Sequence, residues 1–232
     1  MRTRQAAVFS IALSSLLAVN ATAFAELDPG VTKSSCIEAS PEPSARIVAA
    51  VDVRGVRDFD FADLRVEYAP NSQIVLEGPA DAIANLSVVI DDGLVSIERG
   101  DCVVITDGIR VTIAAPSFEL IEARGASVSS ARGIRSATDL TVDIDGDGDS
   151  HLEMRAAGEV VVFTDGAGTH AMDVIASSLV ALHTGSGALT IGGRASAASV
   201  AEFGTGLLST HSLFSGELYA LLEGREQAVS TN

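Results

Sequence analysis

Past its first 25 residues the chain alternates short apolar runs with turn-forming residues, and no stretch sustains the 3.6-residue period of a helix. Ile47 to Val53, Leu64 to Tyr68, Gln73 to Leu76, Leu86 to Ile90, Leu94 to Ile97, Cys102 to Ile105 and Ile109 to Ile113 are rich in Val, Ile and Leu. Asp, Gly, Pro and Asn separate them, as in Asp91-Asp92-Gly93 and Asp107-Gly108, so each run is a strand closed by a turn. Leu94-Val95-Ser96-Ile97 and Arg110-Val111-Thr112-Ile113 alternate strictly, which predicts strands with one buried face. Asp81 to Asn85 has room for one helical turn.

Beyond Pro116 the pattern becomes periodic. Gly-x-Gly recurs at Gly146/Gly148, Gly166/Gly168, Gly185/Gly187 and Gly204/Gly206, in steps of 20, 19 and 19 residues. Each unit holds two β-prone runs, a glycine corner and a connector of small residues; two such strands bury no apolar face alone, but they do when stacked. The spacing therefore predicts an all-β solenoid of parallel rungs roughly 4.8 Å apart. A coil that turns sharply at one place on every rung needs glycine there, because only glycine accepts positive φ without cost. An antiparallel sandwich with regular hairpins is the competing arrangement, and the near-constant repeat length speaks against it. We expect one domain over residues 46–222, with repeats clearest over 118–216, flanked by an irregular lead-in at 26–45 and a tail at 223–232.

Composition adds an address. Arg2 and Arg4, the uncharged apolar run Ala6 to Val19, and Ala21-Thr22-Ala23 followed by Ala23-Phe24-Ala25 have the layout of a secretory signal peptide over residues 1–25. The apolar run is short of the ~20 residues of a membrane span, and no later segment of the mature chain supplies one. Cys36 and Cys102 are the two cysteines. In an oxidising compartment they are a candidate disulfide; closing a loop of about 67 residues, it would contribute roughly 4 kcal/mol on a loop-entropy view. The formal net charge of −16 disfavours nucleic acid as a partner and suits a protein exported to the periplasm or cell surface.

Candidate chemistry concentrates at one corner. Asp143, Asp145, Asp147 and Asp149, with Asp165 on the next rung, present closely spaced carboxylates, and Asp143 opens a D-x-D-x-D-G sequence like that of a calcium loop. Position twelve of that loop is Met154 instead of a bidentate Glu. The corner is thus a candidate Ca²⁺ site, or else a solvated acidic turn. His151 and His170, 19 residues apart, are placed to lie on successive rungs as a metal pair, or as ordinary surface ladder positions. Asp145 and Asp165, one rung apart, have the makings of a sugar-cleaving carboxylate pair, but the chain has no Trp and only 4% aromatic residues to platform a sugar. Ser186 sits in a Gly-Ser-Gly corner without a base, and Arg99-Gly100-Asp101 is a turn between strands that also spells a receptor-binding tripeptide. No catalytic constellation stands out.

The order Phe61-Ala62-Asp63-Leu64-Arg65-Val66, then Asp91-Asp92-Gly93-Leu94-Val95-Ser96-Ile97, then Val111-Thr112-Ile113-Ala114-Ala115-Pro116, then the Gly-x-Gly ladder, resembles the head GIN domain of the auto-transporter adhesin family over about residues 46–222. The resemblance implies a right-handed, β-helix-like domain of bacterial envelopes with no established activity. The combined expectation is a non-enzymatic binding, adhesion or structural module that needs no cofactor. Its partner would be an envelope protein or glycan, or a second copy meeting it at an open solenoid end. A carbohydrate-active or metal-dependent enzyme on the same scaffold, and a calcium-stabilised structural module, are the alternatives.

Overall fold

The computed structural model describes residues 42–49, 52–60, 63–100 and 108–223. The expected signal peptide, most of the lead-in, Cys36 and Cys102 with their expected bridge, and the tail from residue 224 lie outside the described residues.

The N-terminal part holds β1 (Pro43–Ala49), β2 (Gly55–Phe59), β3 (Asp63–Tyr68), β4 (Gln73–Pro79), a short helix α1 (Ala80–Ala84), β5 (Leu86–Asp91), β6 (Leu94–Arg99) and β7 (Arg110–Ala115). The ladder follows as β8 (Leu120–Arg124), β9 (Val128–Ser130), β10 (Ile134–Ser136), β11 (Leu140–Asp145), β12 (Ser150–Ala156), β13 (Glu159–Asp165), β14 (Thr169–Gly185), β15 (Ala188–Gly204) and β16 (Leu207–Glu223). The expected all-β solenoid of stacked parallel strands is what forms.

Two parallel faces build it. On one, β2, β8, β11, β13 and the second half of β14 pair in sequence. On the other, β3, β9, β12 and the first half of β14 do the same, with β10 beside β12. From β14 on, single strands of 17 residues cross both faces. The register carries the repeat directly: Leu140 pairs with Val160, Thr169 with Ala188, and Ala188 with Leu207. One coil is one sequence repeat, so paired residues stand on their counterparts in the preceding unit, apart from register shifts in β2–β8 and β15–β16.

The N-terminal end departs from a uniform solenoid. β1 pairs antiparallel with β4, β4 with β7, and β5 with β6. The cause at β5–β6 is local. Asp92 and Gly93 join the strands with φ of 48° and 76°, the two positive values of a type I′ hairpin turn. Alternation does the rest: Leu140, Val142 and Ile144 point inward, as do Val160 and Val162, Leu179 and Ala181, and Ala198 and Val200. They join one apolar core running from Val53 to Leu213.

The corners use glycine for two reasons, which corrects the expectation that positive φ accounts for all of them. Gly146, Gly166 and Gly185 take φ of 126°, 107° and 106°, as the sharp turn requires. Gly148, Gly168, Gly187, Gly204 and Gly206 do not have positive φ; there the reason is contact. A Cβ on Gly168 would strike the Gly148 carbonyl oxygen, and one on Gly187 that of Gly168. The last corner differs most from the expected pattern. Gly204 lies against the Gly185 carbonyl oxygen, and a Cβ on Gly206 would strike the Gly187 carbonyl oxygen and His183 Nε2. Backbone bonds run through the corners, with Ala188 N–H donating to Gly168 O at 3.0 Å and Leu207 N–H to Gly187 O at 2.9 Å. The ladder is therefore unbroken where a solenoid is otherwise weakest.

Candidate functional site

At the acidic corner the carboxylates splice one rung to the next. Asp147 Oδ1 accepts from Ala167 N–H at 3.0 Å and Asp149 Oδ1 from Thr169 N–H at 2.9 Å. Asp165 Oδ1 accepts from Gly166 N–H at 2.8 Å. These side chains satisfy backbone donors that a turn leaves unpaired. Asp145 and Asp165 are register partners on adjacent strands, and Asp145, Asp147, Asp149 and Asp165 are all exposed.

Asp143 is the exception, half-buried on the outward side of β11 opposite Glu122. Burial raises its pKa, Arg124 opposes the rise, and Asp145 and Asp165 add to it. Glu122 is raised likewise, by burial and then by Asp58, while Arg124 donates to its Oε1 at 3.0 Å. Among the described residues no three or more His, Cys, Asp or Glu side chains are grouped so as to hold a metal ion.

The histidines fall differently from expectation. His151 pairs with Ala171, whereas His170 pairs with Ser150. That offset of one residue puts the two rings on opposite sides of the strand, because side chains alternate with period two. His151 is exposed, and His170 is fully buried. His170 faces the equally buried His183 edge-on, with ring centroids 6.3 Å apart, so neither is a surface position.

Sequence reasoning missed the column to which His183 belongs. Ile144, Thr164, His183 and Glu202 each precede the first glycine of a corner by two residues, and all four are buried. Thr164 Oγ1 and His183 Nδ1 share a hydrogen bond of 2.8 Å. Both His170 nitrogens, His183 Nε2 and both Glu202 oxygens have no partner among the described residues. Gly206 abuts this column, since a Cβ there would meet both His183 Nε2 and Glu202 Oε1. Burial lowers the pKa of His170, the neighbouring His183 lowers it further, and Asp149 opposes them.

A surface hollow lies on the other face, towards the C-terminal strands. Arg135, Arg155, Ile175, Arg194 and Phe214 stack in register across β10, β12, β14, β15 and β16, all pointing outward. The next outward column reads Glu153, Asp173, Gly192, Ser212. Gly192 leaves a gap in that column, and β16 carries an extra residue against β15 between Thr190 and Gly192. The gap is the floor of an open groove of about 610 Å³, bordered by His151, Asp173, Ile175, Arg194, Ser212 and Phe214. Ile175 and Phe214 stay 43% and 54% exposed.

A smaller hollow of about 190 Å³ adjoins it, sharing Asp173 and Ile175 and lined by Arg132, Arg135, Glu153 and Arg155. Arg135 stacks 4.1 Å over the Tyr68 ring. In contrast to Arg54, Arg57, Arg99 and Arg124, which pair with acids, Arg132, Arg155 and Arg194 form no ion pair among the described residues. The signal for this face was present in the sequence, since Arg135, Arg155, Ile175, Arg194 and Phe214 recur every 19 or 20 residues.

A family model described as "Putative auto-transporter adhesin, head GIN domain" matches residues 54–228. No curated protein matches the chain. Among solved structures, a "putative adhesin" from Parabacteroides distasonis ATCC 8503 is similar at a TM-score of 0.72 and 11% identity, over 80% of each chain. Another from Parabacteroides merdae ATCC 43184 gives 0.69 at 11% identity, again over 80% of each chain. A "putative lipid binding protein" from Parabacteroides distasonis ATCC 8503 gives 0.68 at 13% identity and the same coverage. At such identities the likeness is one of fold.

Proposed function

We propose that this chain, which belongs to the family described as "Putative auto-transporter adhesin, head GIN domain", is an exported, non-enzymatic binding module whose ligand lies in the groove over Gly192. The observation that carries this reading is the groove itself. Scattered apolar side chains are ordinary on a soluble surface, but exposed ones gathered in a groove mark an interaction site, and here Ile175 and Phe214 both line the hollow over Gly192, a position without a side chain. Its volume of about 610 Å³ falls within the range of small-molecule sites. Adhesin-named and lipid-binding-named proteins of the same fold agree with a binding role. The signal-peptide pattern of residues 1–25 supports export.

The enzymatic alternative needs two carboxylates facing each other across a substrate. Asp145 and Asp165 instead sit side by side on an exposed edge, away from the groove.

Gly192→Phe tests the proposal. The three atoms nearest a Cβ there belong to Ser212, and the tightest is its rotatable Oγ at 2.8 Å, so the ring fills the groove without disturbing the backbone. Cosedimentation of the chain with envelope material from its source cells is expected to fall at least fivefold in Gly192→Phe and in Phe214→Asp. Undiminished binding by both variants overturns the reading.

A further inference from the structure

The groove and the cationic hollow meet at Asp173 and Ile175, so apolar and positive surfaces are contiguous. On a chain of net charge −16, four of the 15 basic residues gather here as Arg132, Arg135, Arg155 and Arg194. Arg155 and Arg194 flank Ile175 on the rungs before and after it, roughly 10 Å apart at Cα. Both are exposed and without an ion pair among the described residues, although acids outnumber bases two to one over the chain. The acids bordering the two hollows are Glu153 and Asp173, and the titratable neighbour on the far side is His151.

We infer that this site takes a single anionic amphiphile, with its acyl tail along Ile175, Phe214 and the Gly192 floor and its carboxylate or phosphate head against Arg155 and Arg194. The inference rests on the binding-module reading and specifies its ligand. A purely apolar ligand makes no contact with the guanidinium groups, which Glu153 and Asp173 border without forming an ion pair among the described residues, and a simple anion leaves Phe214 and Ile175 in water. An anionic bilayer or a nucleic acid meets the field of the whole chain, which repels it; a lone molecule is small enough to experience mainly the local positive field.

Calorimetric titration of the full chain with sodium dodecanoate, below its micelle concentration and at low salt, is the test. One molecule is expected to bind per chain. The double variant Arg155→Ala/Arg194→Ala and the single variant Phe214→Ser should each weaken binding at least tenfold. Dodecanol is expected to bind at least tenfold more weakly than dodecanoate, and acetate not at all at millimolar concentration. All three substituted residues are exposed, so an unchanged melting temperature certifies that the variants fold.

Several outcomes overturn the inference: no dodecanoate binding, equal binding of dodecanol and dodecanoate, binding of acetate as tight as that of dodecanoate, or dodecanoate binding indifferent to the arginine pair. Binding to phosphatidylglycerol vesicles without binding to monomeric dodecanoate makes the face a membrane surface and also overturns it. So does a fall in mass by light scattering in the arginine variant, which makes a second copy the occupant. If dodecanoate fails while Gly192→Phe still abolishes envelope binding, the ligand class is wrong and the groove stands. If Gly192→Phe also has no effect, the binding-module reading falls with it.

Discussion

Single side chains in this protein take their meaning from which way a rung points them. His170 and His151 are 19 residues apart, yet one is core and the other surface. Spacing predicts the rung, but a one-residue offset in register decides the side. The buried His170 has an energetic consequence. Its pKa lies below 6.5 in the folded chain, chiefly because burial disfavours the imidazolium. The neutral form is therefore preferred on folding, and the stabilisation is full above the unfolded value. It is lost as pH falls through 6.5 towards the folded pKa. Asp143 and Glu122, whose pKa values are raised, act in the opposite sense at lower pH: folding gains stability as each becomes protonated. Thermal unfolding between pH 7.5 and 5 is expected to show a falling midpoint that flattens in His170→Leu. An unchanged pH profile in that variant refutes the assignment.

At the scale of elements, turn chemistry was legible and strand direction was not. Asp92-Gly93 announced the hairpin between β5 and β6, and the glycine corners announced the parallel ladder. The antiparallel partners of β4 were invisible, since β1 and β7 lie distant in sequence and the short alternating pattern is the same for either direction. β16 ends the ladder: among the described residues it pairs with β15 alone. It is 17 residues long and exposes Leu207, Phe214, Tyr219 and Leu221. A long apolar edge is a template for another chain. Light scattering should show association rising with concentration, and Leu221→Lys, which adds a charge at that edge, should reduce it. A monomer at millimolar concentration, or association indifferent to Leu221→Lys, excludes this edge.

For the whole molecule, charge and core work against each other. A formal net charge of −16 spread over thin rungs gives self-repulsion, and the cluster of Asp58, Glu122, Asp143, Asp145 and Asp165 around Arg124 concentrates it on one face. Raising NaCl from 10 to 150 mM shortens the Debye length from roughly 30 to 8 Å. The melting temperature is expected to rise by several degrees over that range. A fall would mean that the surface ion pairs of Arg54 and Arg99 outweigh the repulsion. Because each rung stabilises only its neighbours, this gain should spread along the solenoid instead of acting at one point.

The repeat of 19 to 20 residues and its glycines were enough to establish stacked parallel rungs, because a period is a local property that every unit states again. They established the acidic corner too, as a run of adjacent residues. Why each glycine is needed was not legible: both Gly146 and Gly206 make room for close neighbours, yet only Gly146 also takes a positive φ. The spacing of the outward column beside Gly192 was present in the sequence, but the groove itself was not legible there. Its members, from His151 to Phe214, span four strands and become neighbours only once register is fixed. The same holds for the polar column of Thr164, His183 and Glu202. Its spacing is plain in the chain, but facing inward or outward is settled by pairing across the fold and not by composition.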